Sequence, residues 1–221
     1  MKILNLYACL GGNRYKWDQV TDVQVTAIEL DRVLCDLYQE RFPNDTVIQG
    51  DAHSYLLNHY KEFDFIWSSP PCPTHSRARH GRKNSKAFKP KYPDMNLYQE
   101  IIFLENHFKG KYCVENVIPY YEPLIPGQKR GRHIYWCNFL LPMVLSNRKM
   151  HGDMVGINAI NHLIEFHEYD FRLYSKHGGK QRTDKISRNL VDYKAGQTIL
   201  EYATGCIKES KSKQLRIDEQ Y

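Results

Sequence analysis

Cys72 lies in the run Trp67-Ser68-Ser69-Pro70-Pro71-Cys72-Pro73-Thr74-His75-Ser76, directly after an apolar stretch, Phe63 to Trp67, that predicts a buried strand. A thiol on a turn at the carboxyl end of a strand stands where open α/β sheets carry their chemistry. The flanking prolines fix its backbone and remove two N–H donors. Most lone cysteines are small buried hydrophobes, but this one has polar flanks and a basic segment behind it, with His75, Arg77, Arg79, His80 and Arg82. Thiolates form near neutral pH beside positive charge or N–H dipoles, so these neighbours predict a reactive cysteine.

Other strand ends carry further chemistry. The first predicted strand runs into Ala8-Cys9-Leu10-Gly11-Gly12, the second into Glu29-Leu30-Asp31, the third into Gly50-Asp51-Ala52 and the fifth into Glu115-Asn116. Singly, these read as a turn, a solvated end or a helix cap. Together they suggest a nucleoside-cofactor edge: small residues that admit a ligand to a helix N-terminus, a carboxylate at Glu29 for ribose hydroxyls, and Asp51 for an adenine amino group.

The elements that must position these residues are strands at Lys2–Tyr7, Val23–Glu29, Thr46–Gln49, Phe63–Ser68 and Lys111–Glu115. Helices are expected at Arg32–Phe42, Asp51–Tyr60 and Asp94–Phe108. That alternation predicts an α/β fold with a mostly parallel, doubly wound sheet. His133–Asn138 reads as a later strand and Tyr193–Glu209 as a final helix weakened by Gly196 and Gly205. Asn147 to Asn189 has weak periodicity, and Ser210 to Tyr221 is a polar tail.

A chain of 221 residues with 42% hydrophobic content closes one sizeable core. The net charge of +6 favours a polyanionic partner. Its distribution says more: Thr74 to Pro93 has no acidic residue but holds seven basic ones, including Arg77, Arg79, Arg82 and Lys83. Lys129, Arg130 and Arg132 form a second cluster, and Lys176 to Arg188 a third, together a phosphate-backbone footprint. Six cysteines without paired spacing suggest neither a zinc site nor a disulfide framework, and a reducing intracellular compartment. Cys9, Cys113 and Cys137 read as core residues in strand-like runs. No stretch is long enough to cross a membrane.

The motifs, in order from residue 3 to about 139, resemble those of the DNA cytosine-C5 methyltransferases, in a compact, phage-type form. Asn5 to Gly12 resembles the family's first motif, Asp-Leu-Phe-Ala-Gly-x-Gly-Gly, with Tyr7 for the phenylalanine and Cys9 for a glycine. Pro70-Pro71-Cys72 matches the catalytic Pro-Cys motif, Glu115-Asn116-Val117 the Glu-Asn-Val motif, and Gln128 to Arg132 the Gln-x-Arg-x-Arg motif. The resemblance implies a Rossmann-like S-adenosylmethionine-dependent fold. Cofactor contacts are expected from Tyr7, Ala8, Cys9, Leu10, Gly11, Gly12, Glu29, Leu30, Asp51, Ala52 and Pro70. Catalysis is assigned to Cys72 attacking cytosine C6, Glu115 at N3, Arg132 at O2 and Arg130 as a brace. The target is a cytosine flipped from double-stranded DNA, in the cytoplasm of a bacterial or phage-infected cell, with no metal. The Thr74 to Pro93 segment resembles a mobile closing loop whose Ser76, Arg77, Arg79, Arg82 and Lys83 meet phosphates, joined by Lys180 and Arg182.

Two departures qualify that expectation. Residues 140–188 leave only a short target-recognition region between a core at 1–139 and a closing segment at 189–221, and the Gly-Asn-Ser/Ala-Val run is missing near the C-terminus. The short region implies recognition of about two to four bases, or a partner or second copy that supplies specificity. An RNA cytosine methyltransferase, a folate-type pyrimidine methylase and a non-catalytic DNA-binding relative stay open as alternatives.

Overall fold

The structure is a computed structural model and describes residues 1–81, 83, 84, 86, 88–149 and 159–207. Arg82 and the tail from Ser210 lie outside the described residues, as does the side chain of Arg79.

Short apolar runs dictate a parallel sheet. The strands β1 (Lys2–Leu6), β2 (Gln24–Glu29), β3 (Thr46–Gln49), β4 (Phe65–Ser68) and β5 (Lys111–Val117) pair in parallel. A hairpin of β6 (Gln128–Arg130) and β7 (His133–Cys137) adds antiparallel to β5, giving the order β3-β2-β1-β4-β5-β7-β6. All four β4 residues are buried, as expected of a central parallel strand covered on both faces. The five parallel strands fall within a residue or two of their predicted bounds. β6 was unpredicted because three polar residues at a sheet edge carry no apolar period.

The helices are α1 (Arg32–Arg41), α2 (Ala52–His59), α3 (Arg77–His80), α4 (Asn96–His107), α5 (Ala159–His167), α6 (Arg172–Lys176), α7 (Thr183–Asn189) and α8 (Tyr193–Thr204). Carboxylate caps start three of them: Asp31 accepts from the amides of Val33 and Leu34, Asp51 from Ser54, and Asp192 from Lys194. Alternation along β1 splits the core into two layers. Leu4 and Leu6 pack with Leu56 of α2 and Ile101 and Leu104 of α4, while Ile3 packs with Trp17, Trp67 and Ile199 and Leu200 of α8.

A third cluster joins Leu10, Leu34 and Leu37 to Leu163, Phe171, Tyr174, Ile186 and Leu190. The helices α5 to α7 thus pack onto the first turn and α1. They were unpredicted because nine, five and seven residues are too few to show a 3.6-residue period. The final helix is present but ends at Thr204, short of the expected Glu209, because Gly205 takes the left-handed conformation of a C-cap (φ 73°), while Gly196 within it permits a close approach. A Cβ on Gly196 would lie 2.3 Å from the carbonyl oxygen of Asn13, and one on Gly12 would lie 2.5 Å from that of Val191. α8 and its entry therefore press directly on the first turn.

Past that turn, Arg14 is 4% exposed and makes a bidentate pair with Asp45, Nε to Oδ2 at 2.8 Å and Nη2 to Oδ1 at 2.9 Å. Tyr38 of α1 donates to Asp45 Oδ2 at 3.0 Å. Arg14 also pairs with Asp18, Nη1 to Oδ2 at 2.6 Å, a carboxylate that is 63% exposed. Asp45→Ala leaves the buried guanidinium only that outer partner and should lower unfolding free energy in urea by about 1.5–3 kcal/mol. A loss under about 1 kcal/mol, the worth of an exposed pair, would contradict that reading.

Candidate active site

The register Ser68↔Val114 brings the carboxyl ends of β4 and β5 side by side. The Cys72 turn leaves one and Glu115-Asn116 ends the other. Asn116 Nδ2 donates to the Pro70 carbonyl at 2.9 Å in a buried bond, which fixes the turn against β5. The Cys72 carbonyl accepts from the amides of His75 and Ser76, both at 3.0 Å, closing the turn on itself. Cys72 is partly exposed and Glu115 is buried.

The electrostatics reverse one expectation. Burial pushes the Cys72 thiol above its ordinary value, the Glu115 carboxylate adds to the rise, and the opposing cation is Lys185 of α7. Two of the described basic residues that follow Cys72, Arg77 and His80, have their side chains engaged elsewhere. Arg77 is exposed and donates through Nε to the Pro119 carbonyl, and His80 stacks on Tyr120 with ring centroids 4.3 Å apart. Ser76 forms a bridge to Pro119 and accepts from Ala78 at the start of α3. The beginning of the expected mobile loop is thus docked on the residues after β5. Lys83 is exposed.

The Gln-x-Arg-x-Arg segment divides its labour. Gln128 donates to the Phe139 carbonyl and accepts from the Leu141 amide. The Arg130 guanidinium donates to the carbonyls of Lys129, Leu141 and Pro142. Arg130 thus braces the segment leaving β7. Arg132 is exposed at the hairpin turn and borders a cleft of about 650 Å³ that also reaches His133, Tyr135, Arg148 and His167. Neither Gly11, Glu29 nor Asp51 lines this cleft.

At the β1 and β2 ends, Glu29 receives three backbone amides: Cys9 at 2.9 Å, Leu30 at 2.8 Å and Asp31 at 3.0 Å. Burial raises its pKa against those bonds. Beside it Leu30 is 69% exposed, a large apolar side chain left open next to a held carboxylate. Asp51 is exposed and caps α2, and its bonds to Ser54 lower its pKa. An acceptor, an apolar shelf and a second acceptor in this order fit a nucleoside. Leu10 and Ala52 are buried core residues, and the Leu10 carbonyl accepts from Arg41. Pro70 is buried with its carbonyl already engaged. Gly11 serves packing as well: a Cβ there would lie 2.4 Å from Phe42.

Tyr7 and Cys9 hold positive φ, 57° and 49°. The Tyr7 hydroxyl donates to Glu100 Oε1 at 2.6 Å, and Ser68 donates to Oε2 at 2.6 Å. Cys9 is buried in this turn rather than in a strand, Cys113 is fully buried, and Cys137 is partly exposed. α6 and the turn after it meet the same edge: Tyr174 donates to Asp31 Oδ2 at 2.6 Å and Gln181 at 3.1 Å. Lys180 is exposed, and Arg182 is paired with Asp184 at 2.9 Å. Sequence reading missed Lys185, Glu100, Tyr174 and Gln181. Each reaches the site through tertiary contact, and only the heptad-like apolar positions of α4 hinted that Glu100 faces inward. No group of three or more His, Cys, Asp or Glu able to hold a metal occurs among the described residues, and no helix among them is long and apolar enough to cross a membrane.

The family model for C-5 cytosine-specific DNA methylase matches residues 1–118. Among solved structures, the chain is similar to a methyltransferase of Entamoeba histolytica, EhMeth, at 9% identity and a TM-score of 0.51, covering 95% of this chain and 99% of that one. That likeness is one of fold: a Rossmann-like methyltransferase sheet. A mutant of DNMT2 from Spodoptera frugiperda is 24% identical over 52% of this chain, with a TM-score of 0.38. The chain spans 35% of that protein's length. A TehB-like SAM-dependent methyltransferase from Corynebacterium glutamicum is 17% identical, covering 52% of this chain and 54% of that one, with a TM-score of 0.34. No curated protein matches.

A raised thiol pKa has a direct consequence. Cys72 should alkylate with iodoacetamide more slowly than free cysteine at pH 7, and its rate should keep climbing above the ordinary thiol range of about 8.5. Glu115→Gln removes one of the raising charges and should speed the reaction, followed peptide by peptide by mass spectrometry. Equal rates in both proteins would show that Glu115 does not act on the thiol.

Proposed function

The chain belongs to the C-5 cytosine-specific DNA methylases, and from that premise we infer that it methylates C5 of cytosine in DNA by way of a Cys72 adduct. The observation that carries the reading is Cys72 held beside Glu115 by Asn116. Cytosine C5 is a poor nucleophile until a sulfur adds at C6. Cys72, partly exposed, gives its thiol proton to solvent water, and the S–C6 bond forms as the C5–C6 π pair shifts toward C4 and the N3–C4 pair moves to N3, which takes a proton from Glu115. S-adenosylmethionine, when bound, supplies an electrophilic methyl group to the C5 so activated. Loss of the C5 proton to solvent water then expels Cys72 as a thiolate, which regains a proton from water, and the N3 proton returns to Glu115.

Glu29 would receive the ribose hydroxyls, Leu30 the adenine face and Asp51 the adenine amino group, with the backbone of Tyr7 to Gly12 along the remaining edge. Arg132 reaches the base from the hairpin turn. Residues 1–139 form the catalytic core in this reading, 140–188 address the nucleic acid, and α8 within 189–221 completes the core against the first turn. Arg77, Arg79, Lys83 and Lys180 meet phosphates. Arg182 exchanges its exposed carboxylate partner for one, at little cost because such surface pairs are weak.

Duplex DNA and tRNA, incubated separately with S-adenosylmethionine and digested to nucleosides, should show 5-methylcytosine in the DNA by mass spectrometry. Product in tRNA alone would overturn the substrate, and none in either the activity. By calorimetry, Glu29→Ala should weaken S-adenosylmethionine binding about tenfold or more, the loss of a charge-assisted contact worth about 1.5–3 kcal/mol. Unchanged affinity, or tight binding of a reduced folate instead, would contradict the assignment of that edge.

A further inference from the structure

Glu115 is paired across the hairpin with Tyr135, and Val117 with His133. His133 is therefore the diagonal neighbour of Glu115 on the same sheet face. Its Nε2 lies 3.6 Å from Glu115 Oε1. The Glu115 side chain is 9% exposed and that of His133 36%. The imidazole thus spans from a nearly dry carboxyl to the 650 Å³ cleft that it lines. Register alone fixes this juxtaposition, since both residues sit on strands.

We propose that His133 is a positioning residue that carries protons between Glu115 and the solvent of the cleft. The inference rests on the reading of Cys72 and Glu115 given above. Attack by a thiol releases one proton from sulfur, while N3 gains one. Glu115 must hold the proton that it gives to N3, and its side chain is shielded from water, so that proton enters before the attack, and leaves once N3 has returned it, by way of a neighbour. Tyr135, the other acid facing it, is buried, and burial holds its proton firmly in place. His133 accepts a proton at one ring nitrogen from the cleft and delivers one from the other to Oε1. Apo distances of this kind shorten once substrate fills the site.

The test is steady-state methylation of duplex DNA by His133→Ala and His133→Gln, each checked by thermal melting. Proton transfer contributes about 10²–10⁴-fold where it limits the rate, so kcat should fall about 100-fold in both variants with KM for DNA within about threefold. Added imidazole should restore much of kcat to His133→Ala, because the deleted ring leaves a space open to the cleft. The inference is overturned if kcat stays within about twofold of wild type, if imidazole fails to rescue the alanine variant, or if glutamine alone restores the rate. Should the alanine variant not fold, the glutamine variant decides by its kcat. A wild-type protein that makes no 5-methylcytosine contradicts the proposed function instead, so the two failures are told apart.

Discussion

One buried hydrogen bond organises this molecule: Asn116 Nδ2 to the carbonyl of Pro70. It ties the turn that bears the thiol to the strand that bears the carboxyl. Pro70 has no amide to compete, and prolines 71 and 73 leave the turn few other conformations. The parallel register of β4 and β5 sets the separation of the two strand ends, and the bond sets the approach of the turn. The turn's further ties come after Cys72: its carbonyl accepts from the His75 and Ser76 amides, and the His75 carbonyl accepts from the Tyr120 amide.

Beneath this edge sits a fully buried carboxylate, Glu100 of α4, which accepts from Tyr7 and Ser68 and faces His53 Nδ1 at 3.1 Å. A buried charge is tolerable when its lone pairs are satisfied. Glu100 links the ends of β1 and β4 to α2 and α4. Above it the first turn is strained: Tyr7 and Cys9 both stand at positive φ, at about 1–3 kcal/mol each for non-glycine residues. The surroundings over-determine that turn. Leu10 is locked in the third cluster, Glu29 grips the Cys9 amide, and α8 presses on Gly12 and Asn13. Strain held in place by packing is a means of keeping backbone groups in a fixed pose.

Local features were legible in the sequence and long-range ones were not. Strand ends, the cap at Asp51, and the placement of Cys72 and Glu115 follow from apolar runs and turn residues close to them. The thiol's surroundings are not legible locally, because Glu115 and Lys185 arrive from distant segments, whereas Arg77 is engaged at Pro119 and His75 at Tyr121. The same reason hid the Tyr174 and Gln181 contacts to Asp31. Short helices without a full apolar period disguised the region from 159 to 190 as irregular chain. The closing Gly-Asn motif was judged missing, yet Gly196 of α8 supplies a close approach to the first turn with Gln197 after it.

The account stands on Cys72 bonding covalently to cytosine. A duplex carrying 5-fluorocytosine, mixed with the protein and S-adenosylmethionine, tests this most directly, since fluorine cannot leave C5 as a proton does and the adduct persists. Intact mass should show one oligonucleotide per chain, proteolytic mapping should place it on Cys72, and Cys72→Ser should bind DNA without forming it. An adduct on another residue, or one retained by Cys72→Ser, would contradict the account.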